Sequence, residues 1–531
     1  MAAQATIPIV VGVTGHRNIR SEDYGVLYGA VVSALSDLRA QCPHSEIVML
    51  NSLAEGADLL CAEAAQALSI PLIAALPMEQ AEYEHDFSDG GKDALYRFCG
   101  AARDCFVVPA TERVPELPDR DFAYRQAGIC VAAHAHILLA LWDGKPLPGN
   151  TCGTAETMRF ALEHAYDPKD GIPLSGSTAV LQIATPREGD DAAVCAGETR
   201  FFGDRAAYHE MLRRTDEFNR LAEKASPSPA PLLPADREPD ETLDRTEALY
   251  AASDALSLRF AKQYRSILAA LAIISTVITI AFLLYDEAEL HWMILVCGLM
   301  FAAAWLVQRR GRRIACHRRY LEYRTLAETL RVQAYLRYAG REIRAFALLP
   351  WSAQADDAWI VAALRTVSIG GRPYPAHSIR KLWIEDQLAY HLRAGKKSER
   401  AKTFSERIVG VALSVSIVLY FLVLLFELIW GDLFAASLHI ANAGLYRMLS
   451  KLLLGGISAA TLFISNYYGR LSLSRTASDH RKMAQFYAAM QTRIERSGET
   501  DDLLVLLAGE ELIENGNWCS YQRDNAADFS L

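Results

Sequence analysis

The period of the apolar positions divides the chain near residue 240. Before that point, short apolar runs alternate with glycine-containing turns and stretches of helical period. The runs predict strands at Ile7–Val13, Glu46–Leu50, Pro71–Leu76, Asp104–Val108, His136–Leu141 and Val180–Ala184. Several are apolar almost without interruption, as expected of parallel strands covered on both faces. Helical stretches such as Tyr24–Gln41 and Ala57–Leu68 lie between them. Strand and helix in alternation predict an α/β fold with a doubly wound parallel sheet.

Beyond residue 240 the apolar runs lengthen. A bilayer core needs about 20 helical residues, and four stretches approach or reach that length: Ile267–Tyr285, Leu290–Val307, Ile408–Trp430 and Leu452–Tyr468. The fourth is the shortest and begins beside Lys451. Basic residues concentrate on one side of these stretches. Arg259, Lys262 and Arg265 precede the first, Arg309–Arg319 contains six arginines after the second, and Lys396–Arg407 precedes the third. The intervening turns, around Asp286–Glu289 and Gly431–Tyr446, are nearly free of Lys and Arg. By the positive-inside rule both termini and the central segment are expected in the cytoplasm. The partner implied is a lipid bilayer.

The second half also reads as a duplication. Each copy has a basic amphipathic helix, a hairpin of two spans and a polar helix, Glu322–Gly340 or Ser478–Gly498, that stops at a glycine. The expected domains are therefore 1–190, an α/β domain; 191–240, a helical segment with the Pro-rich linker Ala225–Pro239; 241–345 and 382–500, two-span membrane modules; 346–381, a cytoplasmic connection; and 501–531, a tail. The membrane part is an all-α unit of four transmembrane helices in two repeated hairpins, and a hydrated pore made from it requires a homo-oligomer.

Composition changes this picture little. Over 531 residues the formal net charge is −9, which argues against a nucleic-acid partner, since that would need a broad basic face. The ten cysteines include no CxxC pair, and no His/Asp/Glu cluster has ligand spacing, so no metal is expected. His134 and His136, at alternate positions entering an apolar strand, read as core histidines. The start MAAQATIPIVVGVTGHR lacks a basic region ahead of its apolar run and reads as a first strand.

Ligands on open α/β sheets bind beyond the C-terminal strand ends, and this is where the unusual residues gather. Strand one ends in Gly12-Val13-Thr14-Gly15-His16-Arg17, where a glycine turn lets amides approach a phosphate and an arginine supplies a bidentate charge. Ser52, Glu55, Gly56 and Asp58 follow strand two. Pro77 and the segment Glu82-Tyr83-Glu84-His85-Asp86-Phe87 follow strand three. Trp142 and Asp143 follow strand five, then Gly153, Thr154 and Glu156 open a helix whose N-terminus can hold an anion. A structural turn explains any one of these; four turns at corresponding strand ends point to a ligand site.

The combination GVTGHR, SLAEGADLLCAE, LPM…EYEHDF and LWDG…GNTCGTAET resembles the SLOG superfamily of Rossmann-like nucleotide-binding domains over roughly residues 5–190. The duplicated membrane half resembles, in architecture, the SLATT two-span modules that accompany such domains in bacterial conflict systems. The resemblance implies a nucleotide-derived second messenger at the Gly15 and Gly153 turns, no cofactor, and an effector of the bacterial inner membrane whose output, in anti-phage defence, is a pore or membrane disruption. It also implies an alternative, a membrane-anchored nucleotide or nucleoside-monophosphate hydrolase of the phosphoribohydrolase type. Glu156 and Arg125 would then be the catalytic pair. The stretch PGNTCGTAE departs from the PGGxGTxxE pattern of that branch by one residue between Thr154 and Glu156 and by its missing glycine pair, so binding is preferred over turnover. A third reading is a membrane scaffold with a vestigial α/β domain.

Overall fold

The computed structural model describes residues 5–109, 119–145, 152–163, 178–187, 195–225, 231–367, 369–370, 373–430, 443–470 and 473–525. Seven strands form one sheet: β1 (Ile9–Gly15), β2 (Ile47–Asn51), β3 (Leu72–Leu76), β4 (Asp104–Val107), β5 (Ile137–Trp142), β6 (Ala179–Ala184) and β7 (Thr199–Phe202). Their order is β4-β3-β2-β1-β5-β6-β7. The first six run parallel, and β7 pairs antiparallel with β6 at the edge. The six expected strands are present within one or two residues of the anticipated ends. β7 lies in a stretch read from sequence as mostly helical. Four residues with Arg200 and two aromatics carry too little period to separate an edge strand from a helix end.

Helices cover the sheet. They are α1 (Tyr24–Gln41), α2 (Ala57–Ala67), α3 (Gln80–Tyr83), α4 (Asp89–Ala101), α5 (Asp119–His134), α6 (Thr154–Glu163) and α7 (Arg205–Ala222). β1, β2 and β3 are buried along almost their whole length, because apolar clusters lie on both faces of the sheet. Ile9, Val11, Val13, Leu27, Leu35 and Met49 meet on one face; Val10, Val48, Leu50, Leu138 and Phe160 meet on the other. This is the physical basis of the uninterrupted apolar runs.

α7 is tied to the start of the sheet. Asn219, fully buried, accepts from the Ile7 amide through Oδ1 at 2.8 Å, and its Nδ2 donates to the Ile7 carbonyl and to Ser45 Oγ, each at 2.8 Å. Removing it strands the two backbone groups of Ile7 away from water, at about 1–3 kcal/mol each. Asn219→Ala is expected to destabilise the α/β part by about 3 kcal/mol in urea unfolding; a loss within 0.5 kcal/mol (roughly what an ordinary surface substitution costs) would show that water replaces the amide.

The remaining helices are α8 (Glu241–Glu287), α9 (Met293–Ile314), α10 (Cys316–Tyr338), α11 (Trp351–Asp356), α12 (Ala358–Val367), α13 (Asp386–Trp430), α14 (Ala443–Arg470), α15 (Leu473–Ser497) and α16 (Asp501–Asp524). The chain forms two compact units: one of Met1–Leu256, Glu322–Ser378 and Leu504–Asn517, the other of Ser257–Leu321, Ile379–Leu503 and Trp518–Leu531. In the first, Phe218 of α7 packs against Tyr323 and Trp359, and Arg337 makes a bidentate pair with Asp240 at 2.9 and 2.7 Å. In the second, α13 and α15 lie side by side. Arg481 pairs with Glu399 at 3.1 Å, and the Nδ1 atoms of His391 and His480 lie 3.0 Å apart.

Three helical segments among the described residues are long and apolar enough to cross a membrane: Glu241–Glu287, Met293–Tyr338 and Arg380–Leu425. No residue of the apolar window in the third is buried, and Leu295, Leu299, Val411 and Phe421 are each more than 60 % or close to 60 % exposed. Apolar surface on that scale is unfavourable in water and requires lipid or further protein. The expected fourth span falls in α14, whose apolar run Met448–Ala459 is shorter. The expected outer loop at 431–442 lies outside the described residues. Gly340 and Gly498, the anticipated helix stops, both have positive φ.

Candidate functional site

The strand order reverses between β1 and β5, whose neighbours lie on opposite sides, so a crevice opens beyond their C-terminal ends. Gly15-His16-Arg17 leaves β1 there, and Asp143 leaves β5. The turn is built by close backbone approach. A side chain on Gly15 would sit 2.4 Å from Ala57 Cβ, and one on Gly56 would sit 2.1 Å from the Arg17 carbonyl oxygen. Gly56 has φ +89° and ψ −118°, a conformation that glycine alone adopts readily. The Ala57 amide then donates to the His16 carbonyl at 3.0 Å, which places the start of α2 directly under the Arg17 turn.

At the floor, His16, Asp143 and Arg187 form a closed network. Asp143 is almost fully buried. Arg187 Nε lies 3.0 Å from Asp143 Oδ2 and 3.2 Å from His16 Nε2, and the Asp143 amide donates to His16 Nε2 at 3.1 Å. Arg187 follows β6 and is also held by its carbonyl, which accepts from Arg20 Nε at 3.1 Å. His16 and Asp143 are thus placed together as expected, but their polar atoms join the ends of β1, β5 and β6 to one another.

Arg17 is placed differently. Its side chain is 39 % exposed, its guanidinium carbon lies 4.9 Å from the centre of the Tyr124 ring, and its Nη2 is 3.8 Å from Asp86 Oδ2. Asp86 also takes Arg120 Nη2 at 2.7 Å and the Tyr124 hydroxyl. Cys152, one residue ahead of Gly153 at the start of α6, lies within electrostatic reach of Arg17. Its thiol is pushed up chiefly by burial, then by Asp121, with Arg17 opposing. The residues Pro148-Gly149-Asn150-Thr151 of the expected motif lie outside the described residues.

Glu156, in the first turn of α6, is buried and engaged by two arginines. Arg125 Nη1 donates to Oε1 at 3.0 Å, and Arg159 reaches Oε1 at 2.6 Å and Oε2 at 2.9 Å. The expected Arg125–Glu156 pair forms, but a proton transfer to substrate would compete with these bonds. Behind the turn, Asp58 is fully enclosed and its carboxyl is pushed up from 3.8 to about 7, mainly by burial, while the Ala54 amide and Arg17 act in the opposite direction. Tyr83 is fully buried, its hydroxyl has no hydrogen-bond partner among the described residues, and Asp58, Arg17 and Asp86 are its strongest electrostatic neighbours.

Other candidates sit further off. Gly12 and Thr14 lie within β1, and a side chain at Gly12 would strike Ala135 of the segment after α5 at 2.8 Å. Glu55 binds the Ser88 amide at 3.0 Å. Trp142 donates its Nε1 to the Lys145 carbonyl at 3.2 Å. Ser52 and Pro77 follow β2 and β3 directly. Asp86 lies in the segment expected after strand three; Arg120, Tyr124 and Arg187 are outside the expected site residues. Asp86 and Arg187 follow β3 and β6, so the strand-end rule reaches them; Arg120 and Tyr124 enter from α5 and have no such signal. His134 and His136 are core residues as read, yet among the described residues each has only Nδ1 hydrogen-bonded, to the Cys130 carbonyl and the Val10 amide respectively. Among the described residues no cluster of His, Cys, Asp or Glu is suited to hold a metal ion. No protein-family model matches this chain, and no curated protein matches it.

Proposed function

We propose that this chain is an effector of the bacterial inner membrane whose α/β domain binds a nucleotide-derived second messenger and whose transmembrane helices respond by opening a pore or disrupting the bilayer, in anti-phage defence. The observation that carries this reading is Arg17. At the β1/β5 crevice it makes no direct side-chain hydrogen bond among the described residues and retains its donors for an anion. Three further features support the membrane half: the exposed apolar helices, the basic flanks, from which a cytoplasmic position of both termini is inferred, and the like order of helices α8-α9-α10 and α13-α14-α15. In this reading α14 carries the fourth span, the two sets are a duplicated SLATT-like module, and the α/β part is SLOG-like. Several chains assemble around the pore, and ligand shifts the bundle through its differential affinity for the closed and open arrangements.

The test uses the full chain in liposomes with an encapsulated dye. A nucleotide panel should include one member that binds and triggers leakage. Arg17→Ala is expected to weaken that binding by roughly 10–100-fold, the worth of one charge-assisted contact, and to abolish leakage at the wild-type trigger concentration. Undiminished binding and leakage in Arg17→Ala would remove this turn from the site. The Arg125–Glu156 contact favours a second reading, a membrane-anchored hydrolase. Release of free base from a nucleotide by wild type but not by Glu156→Gln supports it, whereas bound and unchanged ligand supports the sensor. Absence of any binding supports a scaffold.

A further inference from the structure

We infer that Asp86 is a built-in competitor for the ligand's phosphate: its carboxylate occupies an anion seat formed by Arg17, Arg120 and Tyr124, and binding exchanges a phosphate for it. The inference rests on the nucleotide reading above and specifies where the phosphate goes and what it must displace.

Three donors from two separate elements converge on this one carboxylate. Arg120 Nη2 holds Oδ1 at 2.7 Å, the Tyr124 hydroxyl donates to Oδ2, and Arg17 Nη2 stands 3.8 Å from Oδ2. Two guanidiniums and a hydroxyl around one anion are a set of groups that suits phosphate. The carboxylate fills it incompletely. With one charge and two oxygens it satisfies Arg120 and Tyr124 but leaves Arg17 beyond hydrogen-bond distance. A phosphate monoester brings a third oxygen and close to two charges at neutral pH, so it can satisfy all three donors together. The guanidiniums are more than a third exposed and Asp86 is 20 % exposed, so solvent and ligand reach the seat. Arg120 is also paired with Glu82 at 3.1 Å, so its charge is already partly compensated. The unmet charge is on Arg17.

Release of Asp86 needs little rearrangement. It sits on a single turn, Glu84–Asp86, between two fixed aromatics: Tyr83 and Phe87 are buried and meet edge to face at 4.9 Å. Rotation of the Asp86 side chain alone frees the seat while those anchors stay. The buried Tyr83 hydroxyl, which has no partner among the described residues, lies within electrostatic reach of Arg17 and Asp86 and marks the same place as polar and incompletely satisfied. An internal carboxylate of this kind sets a threshold, because weakly charged or scarce anions fail to displace it.

The experiment is titration of pyrophosphate into the full chain in phosphatidylcholine nanodiscs, comparing wild type, Asp86→Asn, Asp86→Ser and Arg17→Ala/Asp86→Asn, with far-UV circular dichroism as the check on folding. Both single variants are expected to bind pyrophosphate at least about tenfold more tightly than wild type, and the double variant should lose that gain. Equal or weaker binding by folded Asp86→Asn and Asp86→Ser overturns the competitor while leaving the phosphate site intact. No binding by wild type or either single variant overturns the phosphate reading of the seat along with it. Repeating the titration with phosphatidic acid in the nanodisc separates the two phosphate sources. Undiminished pyrophosphate binding supports a soluble ligand, and competition by the lipid overturns that assignment in favour of a headgroup.

Discussion

Replacing Gly56 with alanine is expected to lower the thermal midpoint of the α/β part by about 10 °C and to abolish anion binding at Arg17. Gly56 has φ +89° and ψ −118°, which a residue with a Cβ reaches only at a cost of about 1–3 kcal/mol. Strain is the smaller part. The new Cβ would lie 2.1 Å from the Arg17 carbonyl oxygen, 2.7 Å from its carbon and 2.8 Å from the His16 carbonyl oxygen. These are backbone atoms that no side-chain rotation can clear. The β1 turn and the start of α2 must separate, breaking the Ala57-to-His16 hydrogen bond. Together these cost about 4 kcal/mol, and in a domain of this size each kcal/mol moves the midpoint by roughly 2–4 °C. Tryptophan fluorescence on heating in detergent micelles reads the shift, and pyrophosphate titration reads the site. An unchanged midpoint with intact binding would mean that the turn is not held where the structure has it.

Acidification below pH 6.5 is expected to destabilise the α/β part by about 3 kcal/mol by pH 4, and three buried groups decide the sign. Burial and the charges of Arg344 and Arg365 push His134 down from 6.5 to about 3, and burial with Arg365 does the same to His136. Their folded values lie below the unfolded one, so their contribution is complete above pH 6.5 and is lost as the pH falls. Each loses about 1.4 kcal/mol per pH unit while the unfolded chain takes up a proton and the native one does not. Asp58 acts in reverse. Its folded value of about 7 lies above the ordinary 3.8, so its contribution is present at low pH and is lost as the pH rises toward 7. Two histidines against one aspartate leave a net loss of about 1.4 kcal/mol per unit between pH 6.5 and 4. Urea midpoints at pH 4.5, 5.5, 6.5 and 7.5 measure it. His134→Gln should flatten the profile, while Asp58→Asn should steepen its acid side and raise stability at pH 8. A wild-type midpoint that climbs on acidification would show that the histidines are not held neutral.

Six strands follow from apolar runs bounded by glycine and polar turns, because burial on both faces of a parallel sheet leaves a local trace. β7 left none, being four residues long at an edge with Thr199 and Arg200 exposed. Gly15, Gly56 and Gly153 were readable as turns, but the reason for the first two, backbone approach of β1 against α2, depends on a contact over some 40 residues. His16 and Asp143 were read as ligand residues, and their engagement with Arg187 shows a bracing role at the crevice floor that strand-end position alone does not distinguish from binding.

By itself the sequence determined the parallel α/β sheet at one end and the long apolar helices at the other. Both are properties of local composition and period, since a strand buried on two faces and a helix of spanning length are each recognisable from neighbouring residues. Only the tertiary structure decided which strand-end residues share a site. Arg17 meets Asp86, Arg120 and Tyr124 because β1 lies between β2 and β5 and because α5 returns across the same strand ends. Those neighbours are set by the order of strands in the sheet, a long-range choice made by the packing of whole elements, and no local pattern of apolar and polar residues encodes it.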